Sequence, residues 1–195
     1  MANQQRPPRE RMVYSAVQLV RERGVTATGV RDVVEHAKAP RGSFQHYFPD
    51  GKDQLISEAL LWAGDYAADW VANYTASARK PTPSGLFAHL AAQWKREFTA
   101  RGFARGCPIM ATAADLAGTD SSVGEPLRAA LVRWEDAISN ALIAMDVPTA
   151  HSRRMATLML STLEGAIMMS RVHDSVRPLT TVVNDLAPLL DSAVT

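Results

Sequence analysis

Apolar positions recur every three to four residues along almost the whole chain, and the strict alternation that marks a strand is essentially absent. Val13, Ala16, Val17 and Val20 share one face of a first helix, predicted over residues 9–22, with Pro7 and Pro8 at its start and Gly24 at its stop. Thr28 is placed to N-cap a short second helix whose inward face is Val30, Val33, Val34 and Ala37. After the turn "KAPR" a third helix is predicted from Arg41 to Phe48, ended by Pro49. "PDG" makes a second turn, and a long pattern then runs from Lys52 to about Ala78, roughly 40 Å at ~1.5 Å per residue.

Five further helical stretches follow: "PSGLFAHLAAQWKREFTA", "CPIMATAADLA", "GEPLRAALVRWEDAISNALIAM", "PTAHSRRMATLMLSTLEGAIMMSRV" and "PLTTVVNDLAPLLDSAV". Pro and Gly punctuate the joints between them. The expected fold class is all-α with about nine helices. Three short helices form an N-terminal head over residues 1–51, and a larger helical body occupies 52–195.

The third predicted helix carries unusual chemistry. Phe44, His46, Tyr47 and Phe48 place four aromatic rings within five positions. Phe44 and Phe48, four apart, share a face that can pin the helix to the first one, with Tyr47 at its edge. The other face shows Arg41, Gly42, Ser43, Gln45 and His46. Three short helices joined by tight turns describe a helix-turn-helix, in which the outward face of the last helix meets DNA. Gln45 suits a base edge, typically adenine, and Arg41 suits guanine or phosphate. Gly42 lets backbone come close to a partner. His46 and Tyr47 can donate to phosphate. Lys52, opening the next helix, and Thr28, at the start of the second, are further phosphate-binding candidates.

Charge sharpens this picture. The chain carries a net charge of only +1, yet residues 1–52 contain nine Lys/Arg and five Asp/Glu, giving +4 against −3 for the remainder. A basic head on a mildly acidic body favours a polyanion for the head. The 195 residues, 47% hydrophobic and 21% charged, are ordinary for a globular protein with a sizeable core. One cysteine, Cys107, excludes an intramolecular disulfide and suggests a reducing compartment. No apolar run approaches a membrane span, and the N-terminus lacks the apolar core of a signal peptide, so no membrane partner is expected and the expected location is cytoplasmic.

"ATGVRDVVEHAKAPRGSFQHYFPDGKDQL" resembles the head of the TetR family of bacterial transcriptional regulators, through Thr28, Val30, Arg31, Val33, Arg41, Gly42, Ser43, Phe44, Tyr47, Phe48 and Lys52. The extra glycine in "FPDGK" and the pair "GCPI…EGAIMMSR" are similar to the LmrA/YxaF-like branch. Three residues depart from the common pattern: Gly29 forgoes a phosphate contact, Lys38 stands where a glycine is common and offers a phosphate contact, and Gln45 replaces a frequent tyrosine, so the resemblance does not transfer an operator. It implies a ligand-responsive DNA-binding regulator, most simply a repressor, with double-stranded operator DNA, a second copy of the chain and a small-molecule effector as partners.

In the body, Trp62, Tyr66, Trp94, Phe98, Met110 and Trp134 are the candidates to line an effector cavity that the resemblance implies. Taken alone, each is better explained as core. The last two long helices are apolar around much of their circumference. Met155, Met159, Leu163, Gly165, Ile167, Val182, Leu186 and Leu190 are the candidate dimer contacts, because a helix needing cover on two sides is satisfied by the same pair from another copy. Burial within one subunit is the competing explanation, and the resemblance favours the homodimer. No cofactor is expected, and the five histidines show no metal-ligand spacing. Two other functions stay open: an all-helical enzyme using the body cavity, for which no nucleophile–base pair or phosphate loop is visible, and a DNA-binding protein without an effector.

Overall fold

A computed structural model describes residues 6–117, 119 and 121–194, with Arg41 described through its backbone only. The described residues form helices and no strand. These are α1 (Pro8–Arg23), α2 (Val30–His36), α3 (Phe44–Tyr47), α4 (Lys52–Ser77), α5 (Pro83–Arg101), α6 (Pro108–Leu116), α7 (Gly124–Ile143), α8 (Thr149–His173) and α9 (Arg177–Asp191). The third predicted helix is tighter than expected. Arg41–Ser43 form a 3-10 turn that runs into the single α-helical turn of α3.

The chain divides into two compact units. The first runs to Gly64 and takes up Cys107–Leu131; the second is Asp65–Gly106 with Val132–Thr195. By packing, then, the unit that holds the head extends beyond residue 51 and includes α6, which lies against α1.

The core of the first unit is the apolar face read from the sequence. Met12, Val13, Ala16 and Val17 of α1 close over Val33, Val34 and Ala37 of α2, Phe44 and Phe48, and Leu55 and Ala59 of α4. The Phe44 and Phe48 rings lie 5.3 Å apart. Phe48 is wholly buried, and the Arg9 guanidinium stands 5.4 Å from its ring centroid. Trp62 meets Tyr14 edge to face at 5.9 Å and lies against this same cluster.

In the second unit α9 packs against both α5 and α8. Ser84, near the α5 N-terminus, donates its backbone N–H and its hydroxyl to Asp191 at the end of α9. The Arg171 guanidinium donates to the carbonyls of Phe103 and Ala104, so α8 holds the loop after α5. α7 and α8 meet through Ser139 and Ser152 and through the Arg153–Asp136 ion pair.

Candidate nucleic-acid interface

The α1–α2 turn is fixed from several sides, and that fixes α2. Gly24 ends α1 at φ 81°, a left-handed conformation that favours glycine. A Cβ there would stand 2.4 Å from Asp115 Oδ2. The Asp115 carboxylate accepts from the Thr26 backbone N–H at 3.0 Å. Lys52 Nζ donates to the Val25 carbonyl at 2.7 Å. Arg11 closes the other end of α2, donating to the carbonyls of Ala37 and Lys38. Buried β-branched residues on α1 and α2 then hold the pair in one geometry.

Thr28 does not cap α2. The N-cap is Gly29, and Asp32 reaches back to its N–H at 3.3 Å. Thr28 is 1% exposed and its hydroxyl donates to the Gly24 carbonyl at 2.6 Å. The shift by one residue turns a presumed phosphate ligand into a brace for the turn. Lys52 is also partly committed inward, since one of its N–H groups holds Val25. Ser43 donates its hydroxyl to Pro40 O at 2.7 Å, which leaves only lone pairs to offer a phosphate.

The outward face of α3 is open. Gly42 is exposed, and a Cβ built there meets nothing, so backbone can approach a partner closely. Gln45 and His46 are exposed, and Tyr47 is half-buried with its ring 5.0 Å from that of His46. Gln45 Nε2 donates to Pro49 O at 2.9 Å, which orients the amide while leaving one N–H and the amide oxygen for a base edge. Arg41 lies on this face by sequence, but its side chain falls outside the described residues. Arg31, exposed on α2, was absent from the candidates read from sequence. Its place among the matching head positions was the available signal.

The body candidates separate. Trp62 belongs to the first unit, against the head cluster. Met110 is in α6 of that same unit. The second unit holds the other four. Trp94 is half-buried, 5.8 Å from the Phe98 ring, and Phe98 in turn stacks on Phe103. Tyr66 is 44% exposed and its hydroxyl accepts from Gln93. Trp134 is buried with an indole N–H that meets no acceptor among the described residues. His89, missed from sequence, sits between Trp70 and Tyr74. Burial, and then the nearby Arg96 guanidinium, holds its imidazole below the usual range. No group of acidic, histidine or cysteine side chains among the described residues could hold a metal ion.

The dimer candidates need correction. Met159, Leu163, Ile167 and Leu190 are buried at 0–2% exposure within one protomer. They belong to its own core. Met155, Val182 and Leu186 are half-buried, and Gly165 is exposed. The exposed apolar residues of α8 are instead Leu158, Met168, Met169 and Val172, with Leu189 on α9.

This arrangement of α1 to α4 is matched by known proteins. Residues 14–59 match the bacterial regulatory proteins of the tetR family, and residues 83–185 match the C-terminal domain of LmrA/YxaF-like transcriptional regulators. An uncharacterised HTH-type transcriptional regulator of Mycobacterium tuberculosis (strain H37Rv) is 38% identical over 188 residues, covering 94% of each chain. The chain belongs to the TetR family of transcriptional regulators. The HTH-type transcriptional regulator LmrA of Bacillus subtilis is 24% identical over 182 residues, covering 93% of this chain and 96% of LmrA. A TetR transcriptional regulator from Legionella pneumophila superposes with a TM-score of 0.81 at 16% identity, over 95% of this chain and 98% of its own. That likeness carries the all-α TetR fold.

For a TetR regulator, the tie between Lys52 and Val25 makes a double prediction. Lys52→Ala should weaken binding to all DNA sequences about equally, and should also lower stability by ~1.5–3 kcal/mol through loss of a charged hydrogen bond. Thermal unfolding and binding to unrelated duplexes measure the two effects separately.

Proposed function

We propose that this TetR regulator is a homodimeric, effector-released repressor, in which residues 1–51 read the operator and 52–195 dimerise and bind the effector. The observation that carries the reading is the open α3 face: Gly42, Gln45 and His46 point outward from a helix whose opposite side is pinned by Phe44 and Phe48 in the core. Such a helix is rigid enough to present a fixed pattern of donors and acceptors to a major groove. A cytoplasmic location follows from a partner that is chromosomal DNA.

The exposed stripe on α8 supports the dimer. Leu158, Ser161, Gly165, Met168 and Val172 recur at three- and four-residue spacing, the seam of a helix that packs on a like partner. Gly165 has open space where a Cβ would stand, so nothing in its own protomer requires glycine, whereas a facing helix would. For the effector, the buried and unpartnered Trp134 N–H supports a ligand that is mainly apolar with one acceptor. Among solved structures with this fold, FadR of Bacillus subtilis was crystallised with stearoyl-CoA, at 13% identity and a TM-score of 0.67. A dimer holding two heads about one helical turn apart (~34–36 Å) reads a pseudo-palindrome. The effector, preferring the non-binding separation, releases it through ~1–3 kcal/mol of coupling.

Selection of duplexes from a random pool by wild type and by Gln45→Ala tests the base-reading assignment. The variant should lose preference at one base pair per half-site, worth ~1–3 kcal/mol, while keeping its nonspecific affinity. A uniform loss at every position would remove Gln45 from the reading face.

A further inference from the structure

Nine lysine and arginine side chains are described in the unit that holds the head, and seven of them already have intramolecular partners. Arg9 is paired with Glu58, Arg23 with Asp32 and Arg128 with Glu125; Arg11 and Lys52 donate to backbone carbonyls. The two that meet no partner among the described residues are Arg31 and Lys38, both exposed, one on α2 and one just past its end.

Lys38 is the more telling of the two, because its backbone is strained. It has φ 50°, the left-handed region that lysine avoids and glycine enters freely. Arg11 holds the carbonyls of Ala37 and of Lys38 itself, at 2.9 and 3.2 Å, so the conformation is imposed from α1. A glycine would relax this turn. A backbone outlier kept in place by its surroundings points toward a use for the side chain it carries. In a helix-turn-helix the first helix crosses the nucleic-acid backbone, so a cation at its end is suited to a phosphate.

We propose that Lys38 is a phosphate-anchoring residue of the head, holding the DNA backbone beside the start of α3 and supplying a contact that buried Thr28 cannot. The proposal rests on the head binding duplex DNA and adds a specific residue to that reading. The ammonium works as a point charge, so it adds affinity to any sequence and leaves base preference untouched.

The test uses the full-length protein and a labelled random-sequence duplex about two helical turns long, titrated by fluorescence anisotropy between ~50 and ~200 mM salt. Lys38→Asn tolerates the left-handed backbone without the charge, Lys38→Gly relaxes it, and Lys38→Arg keeps the charge. The slope of log affinity against log salt should become shallower by ~0.9 per head, about two for a dimer, in the Asn and Gly variants. The Arg variant should keep the wild-type slope. Lys38→Gly should unfold at or above the wild-type temperature while losing the slope, which separates the charge from the fold. Asn and Gly variants with the wild-type slope would overturn the proposal, as would an Arg variant that loses it. Wild-type protein that fails to bind the duplex at all would overturn the DNA reading itself, whereas wild-type binding with an unchanged Asn slope removes only Lys38.

Discussion

Met168→Asp should yield a folded monomer, and Met159→Asp, nine residues earlier on the same helix, should yield an unfolded chain. Met168 is 48% exposed in the protomer and Met159 is 0% exposed. A carboxylate at Met168 therefore disturbs nothing until a second copy covers it. In a two-fold interface it would be covered twice, once from each side. Desolvating an unpaired carboxylate costs several kcal/mol, and ~1.4 kcal/mol is a factor of ten in affinity. The dissociation constant should rise by about a thousandfold or more, with helical content and thermal unfolding of the monomer otherwise intact if the protomer is stable alone. At Met159 the same charge enters the core between Ala156 and Leu163, where its cost is comparable to the ~5–15 kcal/mol that holds a domain together. Light scattering and circular dichroism distinguish the two outcomes. A Met168→Asp protein that stays dimeric would move the interface off this stripe of α8.

Gly24→Ala should destabilise the head strongly, by ~3 kcal/mol. Two separate effects add. At φ 81° and ψ 175° the backbone lies in a region open essentially to glycine alone, and an alanine there costs roughly 1–3 kcal/mol. The new Cβ would also stand 2.4 Å from the Asp115 carboxylate, which must turn away and release the Thr26 N–H. Loss of a hydrogen bond to a charged acceptor is worth ~1.5–3 kcal/mol. The two contributions separate in a double-mutant cycle. In an Asp115→Ala background the clash and the bond are already gone, so Gly24→Ala should cost only the backbone share. Full additivity of the two substitutions would show that Gly24 and Asp115 act independently.

Among the described residues the helices were legible because most carry their own apolar period and several are bounded by Pro or Gly, as α1 is by Pro8 and Gly24 and α5 by Pro83 and Gly102. The head motif was legible for the same reason, with Phe44 and Phe48 four apart and Gly42 before them. Thr28 and Gly29 were not separable from sequence, since either residue can precede Val30 as a cap, and only the bond from Thr28 to Gly24 decides between them. Lys52 looked like a free cation because nothing in the sequence announces its reach to Val25, 27 positions away. The burial of Met159, Leu163, Ile167 and Leu190 within one protomer was hidden for a different reason. α8 is apolar on two sides, and periodicity finds both stripes without saying which one points inward. The inward stripe through Met159, Leu163 and Ile167 is the richer in large residues, so it drew the assignment. The outward stripe carries the small residues Ser161 and Gly165, the spacing on which the proposed dimer rests.

In the proposed assembly two copies of this chain read one operator with their α3 helices. The most direct measurement is a hydroxyl-radical footprint of the wild-type protein on a duplex that it has itself selected from a random pool. Two protected stretches on one face of the duplex, centred about one helical turn apart (~34–36 Å) over a pseudo-palindromic sequence, are the predicted result. A single protected stretch, or a pool that yields no enriched sequence, would contradict it.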